Sequence, residues 1–155
     1  MKKFLCFLTI FALVFTVGCE KVTEEGKYKE GTYFANVASD TSVVTAVAYV
    51  DENGILKSLF IDTTYTKNGV NTTKKALGDD YGMKATSASK GVIEGGAEWF
   101  EQINTLENKI VEEQDLDWLK WSDEGKTKTD SVSGVTISVD KYYEAVTNVL
   151  EQAKK

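Results

Sequence analysis

The chain has 155 residues, a formal charge of −6 at pH 7, two cysteines, and neither histidine nor arginine. The absence of histidine excludes Ser-His and Cys-His nucleophile systems and histidine-based zinc sites, and an acidic chain without arginine is a poor partner for nucleic acid. The length is sufficient for one domain with a hydrophobic core.

The N-terminal residues have the pattern of a bacterial export signal. Two lysines precede an uncharged apolar stretch, Phe4 to Val17, that is too short for a comfortable membrane span. Gly18 then stands directly before Cys19, which resembles a lipobox, although Thr16 occupies a position where lipoboxes usually have an aliphatic residue. We predict a lipoprotein signal peptide over residues 1–18 and a lipid on Cys19 that anchors the protein to the outward face of a cell membrane. An ordinary signal peptide or a retained anchor is the alternative.

Cleavage before Cys19 would leave a mature chain of 155 − 18 = 137 residues. It would also remove Cys6, so neither a disulfide nor a cysteine-based metal site could form within the mature chain. Residues 19–30 are polar and rich in charge, without an apolar period. This composition predicts a flexible tether between the lipid and the folded domain, which we expect to span residues 31–155.

Two apolar stretches in the first half of the chain predict a β-hairpin. Val43 to Val50 is almost entirely β-branched and apolar, Asp51 to Gly54 provides a turn, and Ile55 to Ile61 follows with polar residues between apolar ones. Gly31 to Val37 is the predicted third strand, which a stable sheet requires. Between residues 63 and 96, six glycines lie among many polar residues, so we predict mostly loop with one short helix.

Two segments in the second half predict amphipathic helices. Apolar residues recur at helical spacing in both, at positions 99, 103, 106 and 110 and again at 139, 142, 143, 146, 150 and 153. Each such helix needs an apolar surface to cover. The predicted fold class is therefore α+β, with a small antiparallel sheet that contains a β-hairpin and is covered by two amphipathic helices.

The segment before the second helix reads Asp-Ser-Val-Ser-Gly-Val-Thr, from Asp130 to Thr136. It resembles the flavinylation motif of the FMN-binding-domain family, in which Asp, two variable residues, Ser or Thr, Gly and Ala precede an acceptor Thr or Ser. Matched residue by residue, Asp130, Ser133 and Gly134 occupy motif positions. Thr136 matches the acceptor that a transferase esterifies with the phosphate of FMN. Val135 stands where the family has alanine.

The position of this segment suits a bound phosphate. The first backbone N–H groups of a helix are unsatisfied, and the helix dipole is positive there. Gly134 lets the backbone approach a phosphate closely, and the hydroxyls of Ser133 and Ser138 can cap the helix or bond phosphate oxygens. Asp130 can orient the loop or meet the metal ion of the transferase. The alternative is an ordinary strand-turn-helix junction, in which the same residue types are turn and cap residues.

The resemblance to the FMN-binding-domain family extends over most of the mature chain. It includes the Gly-Thr-Tyr start of the sheet, the hairpin, the middle segment at residues 77–84, and Trp99 on a helix. In related domains the middle segment packs against the flavin ring. The resemblance therefore makes Tyr81, Met83 and Lys84 candidates for contacts with the isoalloxazine ring or its carbonyls.

The resemblance implies a membrane-anchored flavoprotein that carries electrons through FMN covalently attached to Thr136, between a quinone-linked membrane donor and an extracellular acceptor. Such a protein is an electron carrier and not a classical enzyme, and is itself the substrate of an FAD-dependent flavin transferase. Other redox proteins of the same membrane are its expected partners. Two alternatives stay open, a subunit of a larger membrane redox complex and a non-redox surface-binding or antigenic lipoprotein that keeps the FMN-binding fold.

Overall fold

The computed structural model describes residues 25–155. The predicted signal peptide over residues 1–18, the lipidated Cys19 and the first part of the tether predicted over residues 19–30 lie outside the described residues. Within residues 25–155, no helix combines the length and the apolar character needed to cross a lipid bilayer.

A four-stranded antiparallel sheet and four helices form the described part of the chain, and the strands lie in the order in which they occur in the sequence. The elements are β1 (Gly31–Ala38), β2 (Val43–Val50), β3 (Leu56–Lys67), β4 (Val70–Thr73), α1 (Lys74–Leu77), α2 (Lys84–Ser89), α3 (Trp99–Glu113) and α4 (Asp140–Ala153). A 3-10 turn over Gly78–Tyr81 lies between α1 and α2. The predicted α+β fold, with its β-hairpin and two long helices, is confirmed.

The strand β2 alternates between the two faces of the sheet. Its alternate residues Val44, Ala46, Ala48 and Val50 are buried. The two alanines at the centre have no exposed surface, and their small side chains leave room for α4, which packs over β1 and β2 while α3 packs against β3. Both helices therefore bury one apolar side against the sheet, as their periodicity predicts.

The tether predicted over residues 19–30 is wrong in its last part. Tyr28 is only 3% exposed, and its backbone N–H donates to Gly54 O (3.2 Å) in the turn before β3. The Lys29 N–H donates to Ala153 O (2.7 Å) at the end of α4. The polar composition of this segment did not reveal that it packs against the domain. It packs because the Tyr28 side chain is buried between the turn before β3 and the end of α4. The domain therefore begins before Gly31.

The prediction of mostly loop between residues 63 and 96 is also wrong. Strand β3 runs to Lys67, and β4 returns beside it after Asn68 and Gly69, whose φ angles are 53° and 78°. An Asn-Gly pair with positive φ angles is a preferred hairpin turn. The high glycine content concealed this second hairpin, which leads into the short helix α1 beside α3.

Side chains at the C-terminal half of α3 satisfy a backbone edge of β3. Strand β4 pairs with β3 only from Thr64 onward. Earlier in β3, the Gln114 amide accepts a hydrogen bond from Leu56 N–H (2.8 Å) and donates one to Leu56 O (2.9 Å). Glu107 accepts one from Ile61 N–H (2.5 Å). Because buried backbone groups need partners, α3 takes the place of a neighbouring strand along this edge.

Glu107 is a buried carboxylate with a shifted pKa. It is 7% exposed, and its two carboxylate oxygens lie 2.7 Å and 2.9 Å from Lys75 Nζ. Burial raises the pKa of Glu107 above its ordinary value of 4.5, and this effect exceeds the lowering by the Lys75 ammonium and the Ile61 N–H. The folded protein therefore binds the carboxyl proton more tightly than the unfolded chain does.

We predict that the contribution of Glu107 to stability falls as the pH rises. The folded pKa is the higher one, so this contribution is fully present below the ordinary pKa and is lost as the pH rises through the raised pKa. The wild type should therefore lose stability relative to Glu107→Gln as the pH rises from the ordinary pKa through the raised one. The free energies of unfolding of both proteins, measured by urea denaturation between about pH 4 and pH 8, give this difference. Glu112→Gln, on the exposed side of the same helix, is the control for the charge change. A difference that does not vary with pH would contradict the prediction.

Candidate functional site

Two buried valines shape the segment from Asp130 to Thr136. Val132 is 9% exposed, Val135 is 5% exposed, and both belong to the hydrophobic core. Ser133 is exposed between them, and Gly134 has a φ of 84°, a conformation that favours glycine. The core therefore anchors this segment from inside while its polar groups remain accessible.

Thr136 is half-buried and is held by Gln102 of α3. The Gln102 side chain is fully buried, and its Oε1 accepts hydrogen bonds from Thr136 N–H (2.8 Å) and from the Thr136 hydroxyl (3.2 Å). Three residues later, the Val139 N–H donates to Thr127 O (2.7 Å) just before α4 begins. The residue predicted as the acceptor is therefore fixed through both its backbone and its side chain.

Glu98, one helical turn before Gln102, holds the middle segment. Its buried carboxylate accepts hydrogen bonds from Met83 N–H (2.8 Å) and Lys84 N–H (2.9 Å). It also forms a capping box with Glu101 at the start of α3. Because residues four apart lie on the same side of a helix, the first turn of α3 fixes the middle segment and the motif segment relative to each other.

Two adjoining cavities meet at Thr136. The first, which we call the motif cavity, has a volume of about 530 Å³ and is lined mainly by residues between Lys128 and Thr136. The second, which we call the aromatic cavity, has a volume of about 400 Å³, and its lining includes Tyr81, Trp99 and Tyr142. Both volumes lie within the range of roughly 300–1,000 Å³ that is common for small-molecule sites.

The junction of the two cavities is positively charged. Lys90 and Lys128 line both cavities together with Thr136, and Lys74 lines the aromatic cavity with its Nζ 5.2 Å from the centroid of the Tyr81 ring. Among the described residues that line these two cavities, Asp130 is the one carboxylate. In a chain with a net charge of −6, this group of lysines favours the binding of an anion.

The N-terminus of α4 does not have the features expected of it. Neither Ser133 nor Ser138 caps the helix, because Val139 is the N-cap and makes no side-chain cap hydrogen bond. The first turn contains Asp140, whose charge disfavours an anion at that end. The positive charge near Thr136 therefore comes from lysines of other segments, and the predicted capping role of the two serines is wrong.

Aromatic side chains are held in place on the other side of Thr136. The Trp99 Nε1 group donates to Tyr142 Oη (3.1 Å), and the two ring centroids lie 5.9 Å apart at an interplanar angle of 69°. Burial raises the pKa of the Tyr81 phenol above 10, so its hydroxyl stays protonated at neutral pH. The Met83 side chain also lines this cavity. These groups suit a flat, largely apolar ligand.

The structure brings all but one of the residues predicted for the cofactor site to these cavities. Those that line one or both are Asp130, Ser133, Gly134, Thr136, Tyr81 and Met83. Lys84 is the exception, because its side chain is exposed at the start of α2 and lines neither cavity. Its backbone N–H, bound to Glu98, is the part that belongs to the site. The predicted contact of the Lys84 side chain with a flavin ring therefore has no support in this arrangement.

Trp118 and Trp121 lie close together just before the motif, where an aromatic face could stack on a flavin or fill the core, and the sequence favours core packing. Neither residue lines these cavities. Both are partly buried against the core. The Trp121 ring packs edge-on against Tyr143, with centroids 5.1 Å apart at 62°. Their packing confirms the core assignment.

The sequence predictions did not include the residues that assemble the site. Glu98 and Gln102 hold its two segments, and Lys74, Lys90 and Lys128 give it positive charge. Gln102 had one signal in the sequence, since it is a polar residue on the apolar side of α3, three positions after Trp99 and directly before Ile103. The lysines had none, because they come from three separate segments.

Comparison with known proteins gives no match. No protein-family model matches the chain, and searches of curated proteins and of solved structures find nothing similar to it. The resemblance to FMN-binding-domain proteins therefore stays a prediction from the sequence.

We predict that the close contact between the loop before α3 and the helix α2 is needed for stability. Gly95 and Gly96 have nearly equal φ angles, 72° and 71°, so alanine at either position costs roughly 1–2 kcal/mol of backbone strain. A Cβ at Gly96 would also lie 2.2 Å from Lys84 O and 2.6 Å from Ala88 N, whereas a Cβ at Gly95 meets nothing within 4 Å. Gly96→Ala should therefore destabilise the protein by about 1–3 kcal/mol more than Gly95→Ala in urea denaturation. Equal losses from the two variants would refute this close contact.

Proposed function

We propose that this protein is a membrane-anchored flavoprotein that carries electrons through FMN bound covalently to Thr136. The observation that supports this proposal most is the position of Thr136, which lines both the motif cavity and the aromatic cavity. The hydroxyl belongs to a residue that the flavinylation motif marks as the acceptor.

The lining of the two cavities fits the two parts of FMN. The phosphate is an anion, and Lys90 and Lys128 line both cavities at the acceptor. The isoalloxazine ring is flat and largely apolar, and the aromatic cavity offers the partly exposed Tyr81 and Met83, with the buried Trp99 also in its lining. An ester at Thr136 would leave the phosphate beside the lysines and the ring within reach of the aromatic cavity.

The burial of Val135 removes an objection to attachment at Thr136. The family has alanine at this position, and two additional methyl groups beside the acceptor would obstruct a transferase if they faced outward. The Val135 side chain is 5% exposed and packs in the core, so its methyl groups lie mainly on the side away from solvent. Asp130 is exposed at the rim of the motif cavity, where it can meet a metal ion that the transferase holds.

The bound flavin would supply the redox chemistry, in steps of one or two electrons, and the protein would supply binding, orientation and location. The protein is then an electron carrier and not an enzyme, and is a substrate of an FAD-dependent flavin transferase. We further propose that a lipid on Cys19 anchors the protein to the outward face of the cell membrane, where it would pass electrons from a quinone-linked membrane donor to an extracellular acceptor.

We predict that the chain, co-expressed with a flavin transferase, gains about 438 Da, which is the mass of FMN less one water. Thr136→Val should abolish this gain, because valine has the shape of threonine but no hydroxyl to form the ester. Thr136→Ser keeps the hydroxyl and should retain it. Intact-mass measurement of the three proteins, with fragmentation of the labelled peptide, tests the assignment.

The outcomes of this experiment separate the candidate functions. A labelled Thr136→Val variant would show that another residue is the acceptor. An unlabelled wild type that still binds FMN without a covalent bond would support the flavin site and contradict the ester. An unlabelled wild type that binds no FMN would favour the alternative of a non-redox surface lipoprotein.

A further inference from the structure

We propose that Gln102 is the positioning residue that presents the Thr136 hydroxyl to the flavin transferase. This inference depends on the proposed function, since it concerns how the acceptor is made ready for attachment. It assigns the orientation of the acceptor to a residue on α3, 34 positions earlier in the sequence.

The chemistry of the contact determines the orientation of the Gln102 amide. Thr136 N–H lies 2.8 Å from the Gln102 side-chain oxygen, and an amide nitrogen in that place would set one donor against another. The Gln102 oxygen therefore faces Thr136, and its amide nitrogen makes a long hydrogen bond of 3.4 Å to Ala97 O. A carbonyl oxygen has two lone pairs, which here accept the N–H and the hydroxyl of one residue.

This arrangement fixes the direction in which the Thr136 oxygen can react. The hydroxyl proton points at the buried Gln102, 3.2 Å away, so the oxygen lone pairs point elsewhere. Because Thr136 is half-buried and lines both cavities, its open side is the direction left for these lone pairs. In the transfer, Oγ1 forms a bond to the FMN phosphorus of FAD, the pyrophosphate bond breaks, and AMP leaves. As this bond forms, the O–H turns away from Gln102 and its proton passes to a base of the transferase, because an amide oxygen is too weak a base to take it; this rotation about the Cβ–Oγ1 bond does not move Oγ1.

The backbone contact and the hydroxyl contact have different consequences. The Thr136 N–H is a donor that needs a partner for stability alone. The hydroxyl contact restricts rotation about the Cα–Cβ bond and keeps one geometry for attack, and misplacement of a reacting group by about 1 Å can reduce a rate roughly 100-fold. A structural role would be limited to the first contact, whereas a positioning role requires the second.

The test uses the full chain, a purified flavin transferase, FAD and magnesium, with FMN incorporation followed by mass. Gln102→Met has a similar length and no acceptor, so we expect kcat for labelling to fall about 10- to 100-fold while KM for the chain stays within about threefold. Gln102→Glu keeps an oxygen acceptor and should restore kcat to within about threefold of the wild type. Gln102→Asn, whose shorter side chain withdraws the oxygen, is a second loss variant that keeps the amide. Gln152→Met, on the exposed side of α4, is the matched control and should label like the wild type.

A second measurement does not need the flavin. Scalar couplings in the unlabelled protein should report one Thr136 side-chain rotamer in the wild type and in Gln102→Glu, and an average of rotamers in Gln102→Met. A labelled wild type with an equally labelled, folded Gln102→Met variant overturns the positioning role alone. A wild type that takes up no FMN overturns the proposed function and this role together.

Discussion

Hydrogen bonds that side chains of α3 and its two cap residues accept from backbone N–H groups elsewhere in the chain are the constraint on which this structure depends. Glu98 binds the middle segment, Gln102 binds the motif segment, Glu107 binds β3, and Gln114 at the helix end binds the start of β3. Each buried N–H left without a partner would cost about 1–3 kcal/mol. One helix thus joins the sheet to two segments that have little regular structure of their own, and the position of both segments depends on α3.

The same constraint explains why the candidate site lies where it does. The N-terminus of α4 does not supply an anion site, because Asp140 occupies its first turn. The geometry of the site comes instead from the start of α3, where Glu98 binds the middle segment and Gln102, four residues later, binds the motif segment. The lysines complete the site with charge but do not position it, since Lys90 and Lys128 are exposed and long.

The parts of the fold that depend on local pattern could be predicted from the sequence. The bounds of β2 and the apolar spacing of the two long helices follow from side-chain periodicity. The linear motif marks Thr136 as a candidate, and the structure places this residue in the lining of both cavities. The burial of Tyr28 could not be predicted, because it depends on the end of α4 more than 120 positions away. The role of Gln102 could not be predicted for a related reason, since its partner Thr136 is 34 residues away. The outward direction of Lys84 follows from where α2 begins, which the glycine-rich composition did not reveal.

The absence of arginine gives a physical reason for a covalent bond in the proposed function. Lysine meets a phosphate as a point charge, without the two-bond geometry of a guanidinium, and exposed charges are screened over about 8 Å at physiological ionic strength. Lys90 and Lys128 are exposed, so they would attract a phosphate without holding it for long. A carrier outside the cell cannot recover a flavin that dissociates. An ester at a hydroxyl that Gln102 already orients would replace the missing affinity with a bond that salt does not weaken.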